Sequence, residues 1–181
     1  NGISSDSMVV IKWNACGMKE GVVQDVADLL DAGPRWDVLL YQEGPCIAGM
    51  LHKKLESGHQ WFGAASSMRK RSVGILLHRR WEQASTNVIF GSSSSTTAHL
   101  DFTVEDYRLR FVTSHLPHSV YTSDDYEACL SEVEAIVDGA RLERRMVLLG
   151  VVANAVIGQK WATDSVECIG LYGNGNRNDR E

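Results

Sequence analysis

Hydrophobic residues fall into short runs separated by polar breaks along this chain. Met8-Val9-Val10-Ile11-Lys12-Trp13 is brief, apolar and rich in β-branched residues, which predicts a buried strand ending at Asn14-Ala15-Cys16-Gly17. Val22, Val23, Val26, Leu29 and Leu30 then recur at helical spacing, and Gly33-Pro34 stops that helix. Residues 37–41 predict a second buried strand, running into Gln42-Glu43-Gly44-Pro45. Strand, helix and strand in this order predict a crossover between strands of one sheet. A short helix is predicted within 47–55, a strand from Gln60-Trp61-Phe62, and another over 72–78. Residues 92–97, all Ser and Thr, predict a polar loop or hairpin tip.

Residues 99–104 and 108–114 predict an antiparallel hairpin, with Glu105-Asp106 in its tight turn. Thr122 or Ser123 suits the cap of a helix opening with Asp124 and Asp125, acids favoured at the positive end of its dipole. Tyr126, Leu130, Val133 and Val137 form its apolar stripe. Residues 146–149 predict a strand leading to Val152, residues 166–169 a weaker one, and residues 170–181 a Gly- and Asn-rich tail. Strands outnumber helices and occur in both hairpins and crossovers. That pattern predicts a mixed α/β sandwich, sheet on sheet, flanked by helices.

Composition narrows the class only a little. At 181 residues, the chain predicts one domain, 1–181, with enough length for a sizeable core. No apolar run reaches the roughly 20 residues of a membrane span. A net charge of −5 argues against sequence-independent nucleic-acid binding over the whole surface, though not against an approach to phosphodiesters through bound metal. Cys16, Cys46, Cys129 and Cys168 are widely spaced and form no C-x-x-C pair, which argues against zinc and predicts free thiols. A soluble protein of a reducing intracellular compartment is therefore expected, and a chain opening on Asn1 also admits a processed organellar protein. Arg69-Lys70-Arg71, Arg79-Arg80 and Arg144-Arg145 suit phosphate contacts, but solvated surface and helix-end charge carry more weight. Trp36, Trp61, Trp81 and Trp161 are expected to fill core.

Candidate chemistry lies at strand ends, where rigid backbone meets open space. Asn14 follows the first strand, Glu43 the second, His115 the hairpin, and Asn154 the strand that begins at Met146. Singly, each has a plain explanation as a turn former, a solvated acid or a strand-end histidine. Their order is harder to dismiss. Trp13-Asn14, Gln42-Glu43, Ser72-Val73-Gly74-Ile75-Leu76-Leu77, Ser114-His115-Leu116-Pro117 and Leu149-Gly150-x-x-x-Asn154 together resemble the endonuclease/exonuclease/phosphatase superfamily of DNase-I-like enzymes. The tail Gly170-Leu171-Tyr172-Gly173-x-Gly175-x-Arg177-Asn178-x-Arg180 resembles a segment of endonuclease domains from non-LTR retroelements.

The resemblance implies a four-layer α/β sandwich of DNase-I type, two packed mixed sheets flanked by helices, incomplete at its C-terminal side. It also implies roles. Glu43 and Asn14 would serve Mg²⁺, and one carboxylate with waters and substrate phosphate suffices for that ion. Asn14 and Asn154 would touch phosphate, and His115 would act on the leaving oxygen as a general acid. Val152 departs from the pattern, because the family places there an Asp that prepares the attacking water. Loss of a general base costs about 10²–10⁴-fold. The family's closing Ser-Asp-His is also missing.

The expectation is thus a degenerate, nuclease-like domain acting as a structural or partner-binding subunit of a larger assembly, with another protein chain covering an open sheet edge. The alternative is a Mg²⁺-dependent, retroelement-type endonuclease acting on DNA and completed by residues absent from this sequence.

Overall fold

The computed structural model describes residues 7–153 except 46, 65–71, 84 and 119. Among the described residues, nine strands and two α-helices follow one another as β1 (Val10–Asn14), α1 (Val23–Asp31), β2 (Val38–Gly44), β3 (Leu51–Lys54), β4 (Gln60–Gly63), β5 (Ser72–Leu77), β6 (Ser85–Ser92), β7 (Thr97–Val104), β8 (Tyr107–His115), α2 (Ser123–Leu142) and β9 (Met146–Val152). The first sheet has the order β1-β2-β5-β4-β3 and the second β6-β7-β8-β9. β1 runs parallel to β2, and β8 parallel to β9, while the other pairs are antiparallel.

The continuous apolar run of β2 follows from burial on both faces. Val38 and Leu40 point between the sheets, where they meet Phe62, Ile75 and Leu77 of their own sheet and Leu100, Phe102 and Phe111 of the other. Leu39 and Tyr41 point outward to Trp36 and to Val23 and Ala27 of α1. On the far side, α2 covers the second sheet, with Tyr126 and Val133 against Leu116. Helix, sheet, sheet and helix make the four layers expected from the sequence, and Trp36, Trp61 and Trp81 are buried within them.

Several expectations hold in detail. The hairpin pairs Val104 with Tyr107, which leaves Glu105 and Asp106 as its two-residue turn, and Glu105 adopts a positive φ of 51° there. Thr122 caps α2 in a reciprocal box with Asp125. Cys16 and Cys129 are free thiols. Among the described residues, no helix is long and apolar enough to cross a membrane.

Others fail. The short helix expected within 47–55 is the strand β3, paired with β4 from Leu51↔Gly63 to Lys54↔Gln60. Helical propensity of Met50 to Leu55 is local and weak, whereas β4 offers a ladder of backbone partners. β6 went unanticipated, and Leu29 is exposed rather than packed. The 166–169 strand, the 170–181 tail, Trp161, Cys46 and Cys168 lie outside the described residues.

Three glycines on three strands clear a slot for the Tyr41 ring. A Cβ on Gly74 would stand 2.1 Å from Tyr41 Oη and 2.3 Å from the Phe62 carbonyl, and one on Gly44 would stand 2.1 Å from the ring. Gly63 is the third, its Cβ position 3.4 Å from Tyr41 Oη. Trp61 Nε1 donates to that hydroxyl at 2.8 Å. Gly74→Ala is expected to cost about 3 kcal/mol, the upper end of overpacking, because a backbone carbonyl cannot swing aside. Urea denaturation measures it, and a loss under about 1 kcal/mol would show that the slot relaxes.

Candidate functional site

The two parallel pairs bring four strand ends to one mouth. β1 stops at Asn14, β2 at Gly44, β8 at His115 and β9 at Val152. Met8 lies beside Met146 and Leu148, and Lys12 against Gly150, so β1 and β9 run alongside each other in the same direction. Val152 therefore comes level with Asn14.

Glu43 owes its position to a bulge. The β2–β5 register shifts between Gln42 and Gly44, and Glu43 has a φ of 54°. A left-handed conformation costs a non-glycine residue roughly 1–2 kcal/mol and persists only where neighbours impose it. Here Gly17 N and Met18 N both donate to the Glu43 carbonyl, at 2.9 and 3.1 Å. The same loop orients the side chain. Asn14 Nδ2 donates to Glu43 Oε1 at 2.9 Å, and Asn14 Oδ1 accepts from Cys16 N at 3.0 Å. His115 Nε2 lies 3.6 Å from the same carboxylate oxygen. Asn14, Glu43 and His115, separated by up to 101 positions in sequence, thus form one cluster.

Val152 pairs with His115 across β8 and β9, and its carbonyl accepts from Leu116 N at 2.9 Å. Positions 150 and 152 share a strand face. A Cβ on Gly150 would meet Leu40 at 2.9 Å, so that face looks toward the first sheet. Val152 accordingly directs an isopropyl group where a carboxylate would face Asn14 and Glu43. Asn154 lies outside the described residues, as does the basic run 69–71.

One organiser escaped the sequence reading. Gln42 is buried, and its Nε2 donates across the sheets to Thr113 Oγ1 at 2.8 Å and to the Gly150 carbonyl at 3.2 Å. Thr113 Oγ1 in turn donates to the Tyr41 carbonyl at 3.1 Å. This bridge sets the spacing of β2, β8 and β9 directly behind Glu43. Only its adjacency to Glu43 hinted at such a role.

The residues present fit a divalent oxygen-seeking cation. Glu43 has about four lone-pair positions, of which Asn14 takes one, and hard cations such as Mg²⁺ accept a single carboxylate with waters.

A second group of ligand-type atoms sits elsewhere. Oxygen of Asp31 and ring nitrogens of His59 and His78 lie within 4.8 Å of one another. They stand at the opposite end of β2, beside Val38 rather than Glu43. A metal suits them poorly. A histidine bound through Nε2 ordinarily donates its Nδ1–H. Both Nδ1 atoms here accept instead, from Arg79 N at 3.0 Å and Arg80 N at 3.1 Å. Arg79 Nη1 also lies 2.6 Å from Asp31 Oδ2.

The described basic clusters are largely committed internally. Arg79 pairs with Asp31, Arg80 with buried Asp37, and Arg145 with Asp101 and Glu143. The expected solvated surface holds in part for Arg79, whereas Arg80 and Arg145 are mostly buried and held by carboxylates instead of solvent.

No family model and no curated protein matches the sequence. Solved structures do. A humanized TDP2 from D. rerio superimposes with a TM-score of 0.51 at 17% identity, over 81% of this chain and 62% of that one. The endonuclease domain of TRAS1, a telomere-specific non-LTR retrotransposon, gives 0.50 at 12% identity, over 82% of this chain and 60% of that one. The chain therefore spans about three fifths of each of these relatives. At such identities the likeness establishes architecture. The fold of this chain is a four-layer α/β sandwich of DNase-I type, shared with these two structures.

Proposed function

We propose that the chain is a nuclease-like domain that keeps the cation-holding side of its site, has lost phosphodiester hydrolysis, and serves as a partner-binding subunit of a larger assembly. The observation that carries this reading is Val152. It stands beside His115 and level with Asn14, where the fold's chemistry calls for a base. An isopropyl group has no lone pair with which to orient or deprotonate water. Glu43, by contrast, is held by a strained bulge and by Asn14, an arrangement suited to a bound Mg²⁺. When bound, the ion would neutralise negative charge on a phosphate oxygen.

The partner role rests on the flank formed by β1 and β9. Among the described residues no strand pairs with the outer edge of β9, and Met146 and Leu149 are exposed along it. An unpaired edge with apolar side chains invites a strand from another polypeptide. The second reading is a Mg²⁺-dependent endonuclease on DNA, favoured by the intact juxtaposition of Asn14, Glu43 and His115.

Incubation with supercoiled and abasic-site DNA in Mg²⁺ separates the two. The unaltered chain is expected to nick neither above a protein-free blank. Robust Mg²⁺-dependent cutting that disappears in Glu43→Gln would overturn the proposal and establish the second reading.

A further inference from the structure

Away from the mouth, Asp31, His59 and His78 cluster at the other end of the first sheet, with His59 buried, His78 half-buried and Asp31 at the surface. Asp31 closes α1, His59 ends the turn between β3 and β4, and His78 follows β5. Asp31 Oδ2 lies 3.1 Å from His59 Nε2, and Asp31 Oδ1 lies 3.5 Å from His78 Nε2. Trp36 Nε1 also donates to Asp31 Oδ1, at 3.1 Å. The opposite ring nitrogens accept backbone N–H groups, as described above. These bonds assign both imidazoles to the neutral Nε2–H tautomer.

We propose that His59 and His78 form an acid-sensitive latch, fastening the end of α1 and the β3–β4 turn to the sheet only while both rings are neutral. Three features oppose protonation. A proton on either Nδ1 would face a backbone N–H and break that hydrogen bond. The two rings lie 4.7 Å apart, so two imidazolium charges would repel. Arg79 Nη1 already sits 3.3 Å from His59 Nε2. The Trp36 indole packs on both rings, with centroids at 4.9 and 5.0 Å, and His59 is fully buried.

The charges that face the pair come from two elements. Asp28 and Asp31 of α1 favour the protonated form, and Arg79 opposes it. The β3–β4 turn adds the Ser57 carbonyl, which accepts from Arg79 at 3.0 Å. Arg80 is turned away to Asp37. Burial outweighs the carboxylates, so both histidines are held below the ordinary imidazole value. Burial opposes ionisation of Asp31 as well, but hydrogen bonds from Arg79, His59 and Trp36 hold it below the usual carboxylate range.

The sign follows from linkage. The unfolded chain takes up protons near the ordinary value of about 6.5, before the folded chain does. The latch contributes fully above that pH and is lost as pH falls below it, until the folded-state histidines themselves protonate. Each histidine shifts the folding equilibrium by up to about tenfold per pH unit in that window.

Two measurements on the full chain test the latch. Long-range ¹H–¹⁵N spectra at pH 7 should show both rings neutral with the proton on Nε2. Urea denaturation at pH 7.5 and 5.5 should show the unaltered chain losing at least tenfold more folding equilibrium constant than the His59→Gln/His78→Gln variant. An Nδ1–H or doubly protonated ring at pH 7 would overturn the proposal, even if the variant fails to fold. Parallel pH profiles would do the same. So would stoichiometric Zn²⁺ that raises the melting temperature and perturbs both rings, which would mark a metal site instead.

Discussion

Val152→Asp is expected to raise Mg²⁺-dependent nicking of supercoiled DNA by about 10²–10⁴-fold over the unaltered chain, the span ordinarily lost with a general base. The strand geometry supplies the reason. Position 152 shares the face of Gly150, which looks toward the first sheet, and it pairs with His115 on β8. A carboxylate there would join Glu43 at the mouth, and two like charges would raise the cost of the unliganded site. Mg²⁺ would relieve that repulsion. The variant should therefore gain thermal stability on Mg²⁺ addition, by mass action on the folded state, more than the unaltered chain does. A Mg²⁺-stabilised variant with no gain in nicking would show that a carboxylate at position 152 does not confer hydrolysis.

Asp101→Ala should cost about 3–5 kcal/mol of folding stability, the usual penalty for breaking a buried ion pair from one side. Asp101 and Arg110 face each other across β7 and β8 and form a bidentate pair at 2.6 and 2.7 Å. Arg145 Nε adds a contact to the same carboxylate at 3.2 Å. The hydrogen bonds that Arg110 donates to Asp101 raise its guanidinium above its already high value, so it stays charged under all working conditions. Removing the carboxylate leaves two largely buried guanidinium groups, with Glu143 their remaining acidic partner. Arg110 Nη1 also donates to the Ile136 carbonyl at 2.9 Å, so the seat of α2 should loosen with the pair. Urea unfolding gives the loss directly. Asp101→Leu with Arg110→Met should be milder than Asp101→Ala alone, because only Arg145, still paired with Glu143, then keeps a charge there. A loss below about 1 kcal/mol for Asp101→Ala would mean that water reaches the pair.

Much of the fold was legible because burial writes itself into local pattern. β2 reads as an unbroken apolar run since both its faces are covered. The hairpin was legible down to its register, because a turn at Glu105-Asp106 already sets Asp101 opposite Arg110. What no local pattern carries is that α2 closes over this pair and makes it costly to break. β3 was misread for the complementary reason. Its four residues are mostly exposed, so the strand exists through its ladder with β4 rather than through any apolar signal of its own.

By itself, the sequence determined the four-layer class, an α2 cap at Thr122 or Ser123, and the candidates Asn14, Glu43, His115 and Asn154, of which the first three lie among the described residues, through short-range patterns and a family resemblance. Tertiary structure alone decided that the three converge, that Glu43 sits on a bulge with its carboxylate bound by Asn14, and that Gln42 bridges the sheets behind it. It alone assembled Asp31, His59 and His78 into one hydrogen-bonded cluster. The physical reason is the same in each case. Hydrophobic periodicity records which face of a segment is buried, whereas a site is made by side chains from segments whose meeting depends on how the sheets stack.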